Sequence, residues 1–187
     1  MKKMQLILGF TAFAGLIAIA VVAYNFLAEE AEILPPPAEV TEETAPETET
    51  ARDFTMQDMY GNDVRLSDFF GAPIVLNFWT TWCPSCVAEI PYFTRLHEEF
   101  GNEVQILKVN LLDGQRETRA GVDAFLLAHG LEFPVFFDTS GEAARAYGVR
   151  FIPLTFFIGA NGVIVDTVQG ALNEESLTRG LDAMFGV

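Results

Sequence analysis

The sequence predicts an α/β domain with a central mixed β-sheet flanked by helices. Three observations lead there. From residue 54 onward, short apolar runs alternate with helical patterns, as in a chain that lays helices on one sheet. Turn signals, Tyr60-Gly61-Asn62-Asp63 and Asn161-Gly162, fall between strand-like runs at hairpin positions. Half of the 187 residues are hydrophobic and 17 are Phe, enough apolar material for one core.

The elements follow in order. Residues 54–56 and 64–66 flank the first turn and form a hairpin. Residues 74–79, after Gly71-Ala72-Pro73, are a continuous apolar run and read as a buried strand. Residues 84–100 read as one helix with Pro84 in its first turn, where a missing N–H costs nothing, and Pro91 as a kink. Residues 104–110 are the next strand. Val122, Phe125, Leu126 and His129 recur at i, i+3, i+4 and i+7, one face of a second helix, on which His129 is a packed or boundary residue. Residues 135–138 are a strand and 142–147 a short helix. Residues 154–158 and 163–168 pair across Asn161-Gly162. A closing helix over 174–184 is capped by Asn173.

Two further regions precede this domain, which is expected over 52–187. Residues 6–28 are an uncharged stretch of 23 residues, long enough to cross a bilayer as a helix. Lys2 and Lys3 stand before it and Glu29, Glu30 and Glu32 after it, so residues 1–28 are a cytoplasmic stub and a transmembrane anchor, and the positive-inside rule puts the N-terminus in the cytoplasm and the domain outside. The rival is a cleaved signal peptide, whose apolar region is ordinarily shorter. Residues 29–51, rich in Glu, Pro, Thr and Ala, lack apolar periodicity and are expected to be an extended, self-repelling tether.

The formal net charge of −15 excludes a nucleic-acid partner, since no basic stripe exists to neutralise phosphates. The two cysteines, Cys83 and Cys86, are too few for a disulfide framework or a four-thiolate metal site. No metal is expected. Their bridge closes too short a loop to add much stability, so a redox role is the better reading.

Residues 78–86 read Phe-Trp-Thr-Thr-Trp-Cys-Pro-Ser-Cys. A buried strand therefore runs straight into a Cys-x-x-Cys at a helix start. Unpaired backbone N–H groups there stabilise a thiolate at Cys83, and Cys86 lies one turn on, within reach of a mixed disulfide. Cys83 is the expected nucleophile and Cys86 the resolving thiol. Glu89, three residues after Cys86, is on the same helix face; partly buried, it could exchange protons with Cys86. Trp79 is expected in the core, and Trp82 as exposed apolar surface beside the thiols.

With Asn77-Phe78-Trp79, Trp82 to Cys86, Glu89, Pro91 and Val149-Arg150-Phe151-Ile152-Pro153, the chain resembles the thioredoxin superfamily. Within it, the chain is similar to the TlpA/ResA-type branch of membrane-anchored, extracytoplasmic thiol–disulfide oxidoreductases. The resemblance covers residues 54–187 and includes the preceding anchor. It implies a thioredoxin-like fold with an extra N-terminal β-hairpin and a central βα insertion. It also implies that Pro153 is a cis-proline beside the thiols and that Ile152 offers main-chain groups to an extended substrate. Trp82 and Pro84 complete the expected substrate contacts, and Glu89 tunes thiol reactivity. Asn77 stands where cytoplasmic thioredoxins carry a buried acid. Leu154 stands where the family usually has Thr.

The function implied is disulfide reduction in cytochrome c maturation, keeping the haem-binding cysteines of apocytochrome c reduced, or a related reduction. The expected partners are a disulfide-containing protein substrate, a transmembrane thiol electron donor and, through residues 6–28, the cell membrane. The redox-active Cys83–Cys86 pair needs no further cofactor, and the domain is expected to be monomeric. Two alternatives use the same residues. Thr80-Thr81-Trp82-Cys83 contains the Thr-x-x-Cys of peroxiredoxin-like thiol peroxidases, which also place Pro where this chain has Leu76. Copper-delivery proteins of this fold usually have one residue more between the cysteines, and a distant His.

Overall fold

The computed structural model describes residues 15, 17–19, 21–25 and 49–186, apart from residues 102 and 132. Residues 15, 17–19 and 21–25 are helical. Among the described residues no helix is long and apolar enough to cross a membrane. The expected anchor over 6–28 and the tether up to residue 48 fall largely outside the described residues.

The domain runs β1 (Thr55–Gln57), β2 (Asp63–Arg65), a 3-10 turn (Leu66–Phe69), β3 (Ile74–Trp79), α1 (Pro84–Ala88), α2 (Ile90–Phe100), β4 (Gln105–Leu111), α3 (Arg119–His129), β5 (Val135–Asp138), α4 (Glu142–Ala146), β6 (Leu154–Ile158), β7 (Ile164–Gln169) and α5 (Glu174–Phe185). Seven strands form one mixed sheet in the order β2-β1-β5-β4-β3-β6-β7. The strands β3, β4 and β5 are parallel, while β6 runs antiparallel to β3 and β7. This is a thioredoxin-like α/β fold.

All six residues of β3 are buried, as a strand covered on both faces must be. Its side chains alternate between two cores. Ile74, Leu76 and Phe78 join Phe54, Phe156 and Tyr147 in one, where the aromatic rings meet at centroid distances of 4.9 to 6.4 Å. Val75 and Trp79 face the other side, towards α1, α2, α3 and α5. Gly180 lets α5 approach β6 closely: a Cβ there would stand 2.5 Å from the ring of Phe157. The hairpin turns form as their residues suggest. Gly61 and Gly162 take φ of 86° and 79°. Asp58 accepts hydrogen bonds from the Tyr60 and Asn62 amides at 2.8 and 2.9 Å. At the closing helix, Asn173 accepts from the Ser176 amide at 2.9 Å.

Three expectations need correction. The single helix over 84–100 is two helices, divided at Glu89. Pro91 has no N–H to return to the Val87 carbonyl, so the helical ladder fails before the proline, and Tyr92 N–H re-enters it on the Glu89 carbonyl at 3.0 Å. Residues 49–51, assigned to the tether, add to the β6–β7 hairpin instead. Ala51 N–H donates to Gly162 O, and Ile164 N–H to Glu49 O, both at 2.8 Å. A polar segment can do this because pairing uses main-chain groups only. His129, expected as a packed or boundary residue, is exposed at the end of α3, where it stacks on Phe125 at 4.1 Å.

Candidate active site

The strand β3 ends at Trp79, and residues 80–82 turn the chain into α1. Cys83 caps this helix in an extended conformation, φ −90° and ψ 108°, with Pro84 at the first helical position. A proline ring fixes the φ that a first turn needs. Cys83 and Cys86 are joined by a disulfide with their Cα atoms 5.2 Å apart. The Cys86 N–H donates to Cys83 Sγ at 3.2 Å, so an amide at the helix start is aimed at the sulfur that would carry charge. Cys83 is 6% exposed and Cys86 0%, so a substrate sulfur meets Cys83 first.

The turn is held from below by a residue the sequence did not single out. Glu117 is 1% exposed. Its carboxylate accepts from Thr81 N–H at 2.7 Å, Thr81 Oγ1 at 2.8 Å and Asn110 Nδ2 at 2.6 Å. Its neighbour Arg116 stacks over Trp82 at 3.8 Å. The two residues before Cys83 are therefore each gripped by the loop before α3. The only signal was an acidic residue within a polar loop, which ordinarily reads as solvated.

Opposite the disulfide lies Pro153. The Ile152–Pro153 peptide bond is cis, as the resemblance implied. Cys83 Sγ is 3.8 Å from the Ile152 carbonyl oxygen, so the segment before β6 borders the sulfur. Trp82 and Phe151 are exposed large side chains next to these two positions, and Pro84 is exposed as well. Leu154 is half-buried, and the threonine that follows it, Thr155, points inward.

Behind the cysteines, Glu89 is fully buried. Its Oε1 accepts from Asn77 Nδ2 at 2.9 Å and its Oε2 from Leu172 N–H at 3.0 Å. Burial pushes the Glu89 carboxyl above the usual carboxylate value, opposed by the charge of Lys108, the Leu172 amide and the Asn77 amide. Asn77 Nδ2 also donates to Thr155 Oγ1 at 2.9 Å. The expected site residues Cys83, Cys86, Glu89, Trp82, Pro84, Ile152 and Pro153 thus come from two segments of sequence, 82–89 and 152–153, that flank β3. Asn77, Thr155 and Glu117 support them.

A thioredoxin-like sheet presenting a Cys-x-x-Cys disulfide at a helix start, bordered by a cis-proline, defines a protein of thiol–disulfide exchange. The chain belongs to the AhpC/TSA family, whose model matches residues 48–167, and to the ResA-type thiol–disulfide oxidoreductases. It is 33% identical over 186 residues to thiol-disulfide oxidoreductase ResA of Geobacillus kaustophilus (strain HTA426), which covers 98% of this chain and 99% of that protein. Among solved structures it is similar to StoA from Bacillus subtilis, with a TM-score of 0.60 and 30% identity over 70% of this chain and 96% of that one. It is similar also to the pneumococcal exposed lipoprotein thioredoxin Etrx1 from Streptococcus pneumoniae, with a TM-score of 0.58 and 30% identity over 70% and 98% of the two chains. The chain is a thiol–disulfide oxidoreductase whose redox group is the Cys83–Cys86 disulfide.

Proposed function

We propose that the chain works as an extracytoplasmic disulfide reductase, anchored through residues 6–28, and that it keeps the haem-binding cysteines of apocytochrome c reduced. The observation that carries the exchange chemistry is the buried carboxyl of Glu89 on the turn after Cys86, and the reductive direction rests on the likeness to the ResA relative. A reductase must deprotonate its resolving thiol in a dry place, and a buried carboxylate with a raised pKa is a base suited to that. The ResA relative and the exposed lipoprotein thioredoxin support the class and the extracytoplasmic setting.

In this reading the Cys83 thiolate attacks one sulfur of the substrate disulfide. The other substrate sulfur leaves as a thiolate and takes a proton from water. Cys86 then gives its proton to Glu89 and attacks Cys83 Sγ. The second substrate thiolate leaves, and the chain retains the Cys83–Cys86 disulfide. Two electrons have passed to the substrate. A transmembrane thiol donor restores the dithiol, because the compartment itself is oxidising. Trp82, Pro84 and the Ile152–Pro153 main chain would hold an extended peptide across the sulfurs.

A peptide carrying the Cys-x-x-Cys-His haem-attachment pattern as a disulfide tests this. The reduced full chain, in detergent, is expected to convert it to the dithiol, one peptide per Cys83–Cys86 disulfide formed. Accumulation of peptide disulfide from peptide dithiol would instead mark an oxidant. A peroxidase reading gains little from the site. The Thr80 hydroxyl is buried without a hydrogen-bond partner among the described residues, while Cys83 Sγ has the Cys86 amide and the Ile152 carbonyl as neighbours.

A further inference from the structure

The chain carries a formal net charge of −15, so carboxylates outnumber cations and an unpaired cation is unexpected. In the domain, Arg52, Arg65, Arg95, Lys108, Arg119 and Arg179 each lie against a carboxylate, and Arg145 donates to the Ser140 carbonyl oxygen at 3.1 Å. Arg116 and Arg150 are left. Both are exposed, and among the described residues neither forms an ion pair or a side-chain hydrogen bond. They stand on the two segments that border Cys83 Sγ. Arg116 Cζ lies 3.8 Å from the centre of the Trp82 ring, and Trp82 precedes Cys83. Arg150 is two residues before Ile152, whose carbonyl oxygen is 3.8 Å from the sulfur. Two residues of chain span about 7 Å at most. The large apolar side chains on these segments, Trp82 and Phe151, are 41% and 67% exposed.

The loop before α3 holds Arg116 in place without neutralising it. Asp113 accepts from the Gln115 and Glu117 amides, both at 2.8 Å, and so closes the loop on itself. Asp113 lies within range of the Arg116 charge but forms no ion pair with it. Glu117 turns inward to Thr81 and Asn110. The acids beside Arg116 are thus engaged by other donors. A guanidinium lying over a ring keeps its N–H edge for a carboxylate, which its planar fork takes in two parallel bonds.

We propose that Arg116 and Arg150 are specificity-determining residues, which select protein substrates with acidic side chains flanking the reactive disulfide. The proposal rests on the reductase reading, whose substrate it describes. An extended peptide laid over Cys83, between the Trp82 turn and the Ile152–Pro153 main chain, brings the residues on either side of its own cysteine to one arginine or the other. Carboxylates there meet donors that the chain leaves unused, whereas Lys or Arg there meets like charge. At about 0.1 M salt, charges more than about 10 Å away are largely screened. The two local guanidiniums, rather than the acidic remainder of the chain, then decide which peptide docks.

The test uses three peptides that share one Cys-x-x-Cys disulfide and differ only in its flanks, which are Asp, Asn or Lys. The dithiol form of the full chain, in detergent at about 0.1 M salt, reduces each of them. Every rate is divided by that for dithiothreitol, an uncharged reductant, so that the reactivity of the peptide itself cancels. Net charge alone favours the lysine peptide. The arginines are expected to reverse this, with the aspartate peptide reacting roughly fivefold faster than the lysine peptide, as two exposed charge contacts allow. Arg116→Gln and Arg150→Gln should each lower that ratio, and the double variant should bring it to one or below. The ratio reads selection alone, because any effect of the guanidiniums on the Cys83 thiolate acts on all three peptides alike. Equal rates for the aspartate and lysine peptides, or a ratio that survives in the double variant, would overturn the proposal. Should the chain be an oxidant, the peptide disulfides stay intact while the peptide dithiols are oxidised. The same ratio is then read from the dithiols, so the reductase reading can fall without the selection. Exchange in neither direction would overturn both.

Discussion

Replacing Cys83 by serine is expected to abolish disulfide exchange, by on the order of 10³-fold or more, because a serine hydroxyl forms no nucleophilic anion near neutral pH. Replacing Cys86 by serine should give a different loss. Cys83 still attacks, but nothing resolves the adduct, so mixed disulfides with substrate accumulate through Cys83. The asymmetry follows from burial: Cys83 lies at the rim with the Cys86 amide aimed at its sulfur, and Cys86 lies wholly beneath it. Mass spectrometry of the trapped adducts identifies the bonded cysteine. Adducts through Cys86 in the Cys83→Ser chain, but none through Cys83 in the Cys86→Ser chain, would reverse the roles. Both variants should stay folded. The bridge spans a separation of only 3 residues, so the entropy it removes from the unfolded chain is worth about 2 kcal/mol at most.

The second large effect is expected from Glu89→Gln. Burial raises the Glu89 carboxyl above its ordinary value, so its basic form appears as pH rises through that raised midpoint, and on the proposed mechanism Cys86 is activated over the same range. Glutamine cannot take the proton. Cys86 must then release its proton to solvent, with no carboxylate at hand to receive it. Exchange at neutral pH should fall by roughly 10²-fold, and the activity limb should move to higher pH. The same substitution costs structure as well. The carboxylate accepts from Asn77 on one oxygen and Leu172 on the other, whereas an amide offers a single acceptor. About 1 to 3 kcal/mol of stability should be lost, read as a lower melting temperature. That loss with an unchanged pH profile would reduce Glu89 to a structural acid.

Much of the frame was legible in the sequence because local signals and the global fold agree there. The apolar run 74–79, the Asn161-Gly162 turn and the Cys-x-x-Cys after a strand each specify their element within a few residues. Glu89 was legible as a candidate from its spacing to Cys86, but its complete burial was not, since that depends on Leu172 from far along the chain. Lys108 and Glu117 were missed for the same physical reason. A charged residue is read as solvated unless its partners are known, and theirs are Asn77 and Thr81, 31 and 36 residues away. The division of the helix at Glu89, rather than at Pro91, follows from the hydrogen bond that the proline lacks, which falls one turn earlier.

The proposed reductase delivers electrons through the Cys83–Cys86 pair. Its most direct test is the reduction potential of the full chain in detergent, equilibrated against glutathione and dithiothreitol buffers. A low, thioredoxin-like value of about −250 mV or below is expected, at which the dithiol can reduce substrate disulfides. A value near −120 mV, roughly that of a strong oxidant, would contradict it and make the chain an enzyme that installs disulfides.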